Sequence, residues 1–329
     1  MKKIALIIPY YGHFPNYFNL FLKTCENNPS IDWIIFSDIE TSIEFPKNVH
    51  KIQMSFSEIK STFQEKFDFK ISLNSPYKLC DYKPAYGYLF ERYLDDYDFW
   101  GYCDVDMLFG NLRKFLPDDI LVNYDKIGHL GHLTLYKNKP DINRLFMTSV
   151  NGEKVYKKVL STDRICIFDE WGKENINQIF EQKGKRIYFW NDFCDIYPYD
   201  DYFREAVSSV KKTLDLSSEV VVEKNPISVL WDKGNIYRLS QKSGKLIKKE
   251  CAYAHFQKRN MNINVDISDD EILCIPNQFI KFNDLVAIKK LKKRKVINQK
   301  KMKYKYKILK YYFIEKSGPV RHRLFRRKK

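Results

Sequence analysis

Two carboxylates one residue apart, Asp104 and Asp106, follow the aromatic run Tyr97-Asp98-Phe99-Trp100-Gly101-Tyr102-Cys103. That run reads as a strand, so the pair falls at a strand's carboxyl end, where open α/β sheets bind ligands. Two such charges repel unless a cation lies with them. Mn2+ or Mg2+ take oxygen ligands and commonly bridge carboxylates to phosphates. The pair therefore predicts a metal–diphosphate site. A bare D-x-D string also occurs as an ordinary polar turn, and the strand before it gives it weight. A second cluster is Tyr253-Ala254-His255-Phe256-Gln257-Lys258-Arg259. His255, at a strand end, is a candidate third ligand, with Lys258 and Arg259 as phosphate partners. Asp169 and Glu170 are candidates for the reacting end. They suit a general base or hydrogen-bond partners for hydroxyl groups. The competing structural reading is an acidic first turn of a helix. His132 is a further candidate for the pocket.

The elements that must position these residues are legible in part. Ile4–Ile8 is a short apolar run ended by Pro9, as in a central parallel strand. Phe18, Phe21, Leu22 and Cys25 recur at helical spacing, and Trp33-Ile34-Ile35-Phe36 is a second buried strand. Together they predict a βαβ opening. A helix is expected over 81–94, with Tyr86, Leu89, Phe90, Tyr93 and Leu94 on one face and Pro84 in its first turn. Further expectations are a strand at 132–136, a helix at 175–182 and a hairpin around Asp232-Lys233-Gly234-Asn235. A last short strand falls at 252–256. The stretch WNDFCDIYPYDDYF, with Asp192, Asp195, Asp200 and Asp201, reads as a surface loop, with Trp190 and Tyr197 as an alternative sugar-stacking pair.

Composition excludes several classes. The chain has 329 residues, 44% hydrophobic and 30% charged, which is a globular balance. No apolar run approaches the ~18 residues of a membrane span. MKKIALIIPYYG has a positive flank, but its apolar stretch is short, ends at Pro9 and lacks a cleavage site, so a buried strand is the expectation. Seven scattered cysteines without a C-x-x-C pair fit a reducing cytosol better than a disulfide or zinc scaffold. The net charge of +16 is unevenly placed: residues 289–329 carry 19 Lys/Arg and one acid, the rest 38 and 40. A nearly neutral body with a basic tail argues against a nucleic-acid-binding protein built on the whole surface. A sugar nucleotidyltransferase would bring a Gly-rich loop after the first strand, and Pro9-Tyr10-Tyr11-Gly12 does not supply one.

Over residues 1–260 the order of these motifs resembles the GT-A-fold glycosyltransferases of bacterial capsular and lipopolysaccharide synthesis, including galactosyltransferases. IALIIPYYG is similar to their nucleotide-binding strand and loop, and DFWGYCDVDMLFGNL to their metal-holding strand and D-x-D loop. GHLTLYKN resembles the strand that lines the sugar pocket, ICIFDEWGKENINQIF the acidic segment across from it, and AHFQKR the histidine segment of the glycogenin-like branch. That branch continues its histidine with Gly and Lys-Pro-Trp, where this chain has FQKR. An arginine it carries before D-x-D is absent, and Lys83 lies about one helical turn away.

The resemblance implies an α/β, GT-A-like fold with a mixed central sheet over 1–285, followed by a basic amphipathic helical tail over 286–329. It implies Mn2+ or Mg2+ on Asp104, Asp106 and His255. Pro9, Tyr10, Tyr11, Asp38, Lys83, Asp104, His132 and Lys258 would contact the donor, and Asp169 and Glu170 would be catalytic. The implied reaction moves a hexose, galactose or glucose, from a UDP-sugar to a lipid-linked saccharide, with retention favoured. The tail would bind an anionic membrane at the inner face of the bacterial cell membrane.

Overall fold

Both faces of the first strand are covered, which explains its unbroken apolar run. In β1 (Ile4–Pro9), Ala5 and Ile7 enter one core cluster, while Ile4, Leu6 and Ile8 enter another. The structure is a computed structural model that describes residues 1–170, 174–197, 202–209, 219–222, 225–291 and Tyr306. It is a mixed α/β architecture of three sheets. In chain order, β2 (Ile31–Ser37), β3 (Val49–Gln53), β4 (Phe99–Cys103), β5 (Met107–Phe109), β6 (Lys126–Ile127), β7 (Leu133–Lys137), β8 (Ile187–Tyr188) and β9 (Phe193–Ile196) follow. Then come β10 (Glu205–Ser209), β11 (Glu219–Val222), β12 (Ser228–Asp232), β13 (Asn235–Lys242), β14 (Lys245–Cys251), β15 (Tyr253–His255), β16 (Asn262–Asn264), β17 (Glu271–Ile275) and β18 (Gln278–Lys281).

The first sheet has the order β3-β2-β1-β4-β7-β6-β8. Its β3, β2, β1 and β4 run parallel, and β7 lies antiparallel to β4. Helix α1 (Phe18–Glu26) makes the expected βαβ crossover and buries Phe18, Phe21, Leu22 and Cys25 against one face. Helix α2 (Phe56–Glu65) starts at a capping box of Ser55 and Glu58 and buries Ile59 and Phe63 against the other. The second sheet, β11-β10-β9-β15-β5, begins where the first leaves off, since only Asp104-Val105-Asp106 separates β4 from β5. The third, β14-β13-β12-β17-β18-β16, shares a core with the second through Trp231, Ile236, Phe256 and Phe279.

The expected helix over 81–94 is broken instead. A 3₁₀ segment spans Pro76–Ala85, one α-turn covers Tyr86–Leu89, and a 3₁₀ turn covers Glu91–Tyr93. Pro84 lies inside the 3₁₀ segment and cannot donate a helical hydrogen bond. Gly87 lies against Trp100, where an added Cβ would come within 2.2 Å of the indole. The expected hairpin forms as β12–β13, with Lys233 and Gly234 both at positive φ, as a two-residue turn of this hand requires.

A helix at Asp284–Lys290 crosses the expected 285/286 boundary, and Ala287 and Leu291 beside it are buried, so the packed body reaches Leu291. Apart from this stretch and Tyr306, the basic tail lies outside the described residues. Among the described residues, no helix is long and apolar enough to cross a membrane.

Candidate metal centre

The D-x-D tripeptide is the splice between two sheets. The Asp104 backbone N–H donates to the His132 carbonyl at 2.9 Å, extending the β4–β7 ladder by one bond. Two residues later the chain has joined β5, whose antiparallel partner β15 sets Met107 opposite His255. The Phe256 N–H donates to the Asp106 carbonyl at 2.8 Å. A strand from far along the chain therefore lands beside the two aspartates.

Asp104, Asp106 and His255 each offer a ligand atom, and these atoms lie within 4.8 Å of one another. His255 Nε2 is 3.5 Å from Asp106 Oδ1 and 3.8 Å from Asp104 Oδ2. Two hard carboxylates and one imidazole form a donor set that suits Mn2+ and, with fewer nitrogen contacts, Mg2+. Asp106 is buried, and its other oxygen accepts the Lys258 backbone N–H. Burial works against its charge, but His255 and these hydrogen bonds outweigh it and hold the carboxyl well below the usual range. Burial likewise opposes charge on His255, and Asp106 and Asp195 overcome it, raising the imidazole well above its usual range.

Positive charge reaches the pair through Lys83. Lys83 Nζ donates to Asp104 Oδ1 at 2.8 Å and to the Gly131 carbonyl at 2.6 Å. It also stands 3.7 Å from Asp169 Oδ2. Lys258 meets Asp106 through its backbone N–H, and its ammonium lies 4.2 Å from the ring centre of Tyr77, which is 61% exposed. Arg259 is turned away, donating to the Tyr197 carbonyl and to Asn277.

Asp169 is buried, and burial pushes its carboxyl up to about 8, with Lys83 pulling the other way and Glu170 and Asp104 adding to the rise. Glu170 accepts the Gly131 N–H at 2.7 Å. Asp169 and Glu170 are not in a helix's first turn. The helix Ile176–Gln182 is capped by Asn175, which forms a capping box with Gln178. Asp169 is delivered by a loop pinned to Asp81, whose oxygens accept the Cys166 and Phe168 N–H groups. Between these, Ile167 adopts φ 55°, a strained conformation for a β-branched residue.

Tyr10 lies near Asp104 and Asp106. Burial raises its phenol, and Asp106 and Asp104 add to the rise. Pro9 ends β1 just before it. Tyr11 packs edge-on against Phe56, and its phenol is raised by burial and by Asp38 and Glu58. Asp38 is exposed just past β2 and accepts the Phe56 N–H at 3.4 Å.

His132 lies behind the site rather than in open cleft. Its buried ring is 4.7 Å from that of His255, and Nδ1 pairs with the Tyr253 hydroxyl at 3.1 Å. The expectation for the acidic aromatic stretch is also revised. Trp190 is 1% exposed and packs on Tyr253, so it offers no stacking platform. Asp195 is on β9 beside His255 instead of in a surface loop, and Asp200 and Asp201 lie outside the described residues. Sequence reasoning missed Tyr77, Gln257 and the role of Asp195. For Asp195 the signal is the β9–β15 register, which only the folded sheet provides.

A search among curated proteins finds no match to the chain. The family comparison reaches from within β1 to the end of the third sheet and takes in every residue of the centre. The chain belongs to the family of unknown function DUF6625, which matches its residues 6–283.

Proposed function

We propose that this protein is a metal-dependent glycosyltransferase with a GT-A-like fold, which moves a hexose from a UDP-sugar to a lipid-linked saccharide. The observation that carries this reading is the convergence of Asp104, Asp106 and His255 at the carboxyl end of β4, with Lys83 paired to Asp104 and the Lys258 backbone N–H bound to Asp106. A divalent cation held there would act as a Lewis acid on a diphosphate. Lys83 supplies fixed positive charge for the leaving nucleotide, already in place before charge develops, and the Lys258 ammonium is a second candidate from the neighbouring turn. The ends of β1 and β2, with Tyr10, Tyr11 and Asp38, offer the nucleoside a polar and aromatic wall. Galactose and glucose are the favoured hexoses, by resemblance of the motifs.

Retention of configuration is favoured by resemblance of the motifs. The Asp169 carboxyl lies 3.7 Å from Lys83 and is raised by burial. It is well suited to donate a hydrogen bond to a sugar oxygen, with Glu170 accepting from the same region. The basic C-terminal segment would hold the enzyme at an anionic leaflet where a lipid-linked acceptor sits.

The test is nucleotide release from UDP-galactose, UDP-glucose, UDP-N-acetylglucosamine and GDP-mannose, each with Mn2+ and with EDTA. Release from a UDP-hexose, lost in EDTA and in Asp106→Ala, is the expected result. Absence of release together with absence of UDP binding in calorimetry with Mn2+ would overturn the proposal.

A further inference from the structure

Asp195 has no direct part in the chemistry above, yet it is the nearest partner of a residue that does. The parallel pairing of β9 with β15 sets Asp195 abreast of His255. Residues abreast in neighbouring strands project from the same face of the sheet. The carboxylate thus meets the imidazole, with Asp195 Oδ1 3.0 Å from His255 Nδ1. An ionised carboxylate can only accept, so Nδ1 carries the hydrogen of this bond. The other ring nitrogen, Nε2, is the one that faces Asp104 and Asp106.

The same Asp195 oxygen accepts the Gln257 side-chain amide at 2.7 Å. Gln257 and Lys258 both have left-handed backbones, at φ 53° and 56°. Consecutive non-glycine residues in that region are costly and persist only where their surroundings fix them. Asp195 grips this turn from one side through His255 and Gln257. Asp106 grips it from the other through the Lys258 N–H.

We propose that Asp195 is the positioning residue of the metal-binding histidine, fixing His255 so that Nε2 points at the Asp104–Asp106 pair. This rests on the metal reading given above. Carboxylates in this outer position orient a ligating imidazole and strengthen it as a donor, and their loss typically weakens metal binding about 10- to 100-fold. His132 makes its hydrogen bond elsewhere, between Nδ1 and Tyr253, and its buried Nε2 has no hydrogen-bond partner among the described residues, so the Asp195 contact goes to His255.

The experiment measures Mn2+ binding to the full chain by electron paramagnetic resonance of free Mn2+, without nucleotide. Wild type, Asp195→Asn and His255→Ala are compared, and melting temperature in EDTA is recorded for each. Asparagine keeps the shape and removes the charge. The expected result is a dissociation constant about 10- to 100-fold weaker in Asp195→Asn, in a protein that still melts cooperatively in EDTA. Wild-type affinity in Asp195→Asn, beside loss of binding in His255→Ala, would overturn the positioning role and leave the metal site standing. No Mn2+ binding by wild type would overturn the metal reading itself and this inference with it. Nitrogen-15 NMR of labelled histidine in wild-type protein in EDTA gives a readout that needs no variant. A hydrogen-bonded proton on His255 Nδ1 is expected, and an unprotonated Nδ1 would overturn the proposal.

Discussion

Gly131 decides how closely the acidic loop approaches Lys83. A Cβ at this position would lie 2.3 Å from Asp169 Oδ2 and 3.3 Å from the Glu170 carboxyl carbon. Its N–H and carbonyl are both engaged as well, by Glu170 and Lys83. Gly131→Ala must therefore displace the Asp169 carboxyl and press on that of Glu170. We expect a loss of about 1–3 kcal/mol in urea unfolding, typical of forced overpacking. Donor turnover should fall at least tenfold while Mn2+ binding is kept, because Asp104, Asp106 and His255 are untouched. Unchanged turnover would mean that Asp169 and Glu170 take no part. At this scale the sequence was most informative for Asp104 and Asp106, because a recognisable strand runs directly into them. His255 was legible only as a partner of that pair. Asp195 was not, because its meaning comes from a neighbour 60 residues away in the chain.

The loop that carries Asp169 is held by a buried ion pair on the 3₁₀ segment Pro76–Ala85. Lys78 Nζ donates to Asp81 at 2.8 Å and to the carbonyls of Val159 and Arg164. Both side chains are almost wholly buried. Removing one member leaves the other charge uncompensated, so Lys78→Met should destabilise by about 3–5 kcal/mol. Urea unfolding followed by tryptophan fluorescence would read this, and a loss within 0.5 kcal/mol, on the order of an ordinary surface change, would refute it. This segment also shows why its helix was misread. The apolar spacing of Tyr86, Leu89 and Phe90 is helical, and all three are buried as expected. The backbone between them breaks because Pro84 interrupts the hydrogen bonds and Gly87 yields its side-chain space to Trp100. By contrast β1, β2 and β4 were legible because burial on both faces leaves an unbroken apolar run.

Across the whole molecule, the division into three sheets was the least legible feature. Strands of two or three residues such as β5, β6, β8 and β15 leave little periodicity, and pairing between distant strands leaves none. Several buried groups make global stability depend on pH, and Lys126 is one whose contribution a single variant isolates. Lys126, on β6, donates to the Gly128 carbonyl at 2.5 Å and to Asn177 at 2.8 Å, tying the first sheet to the helix Ile176–Gln182. Burial pushes its ammonium down to about 7 from 10.5, against the pull of Asp169 and Glu170. Between those two values the unfolded chain holds a proton that the folded chain does not, so stability contributed by this site rises with pH. The rise approaches about 1.4 kcal/mol per pH unit mid-window. Urea midpoints for wild type and Lys126→Met from pH 7 to 9.5 should diverge, with the wild type gaining more as pH increases. Parallel profiles would show that Lys126 stays charged in the fold.

The Asp106–Lys258 contact joins residues 152 apart in the chain. A growing polypeptide that has completed β4 and β5 already carries both aspartates, but neither the histidine nor the turn that embraces Asp106. The centre therefore closes late in synthesis, once β15 and the turn after it have emerged and docked. Until then the nascent protein carries an unfinished centre, and a product truncated before β15 would have nothing with which to complete it.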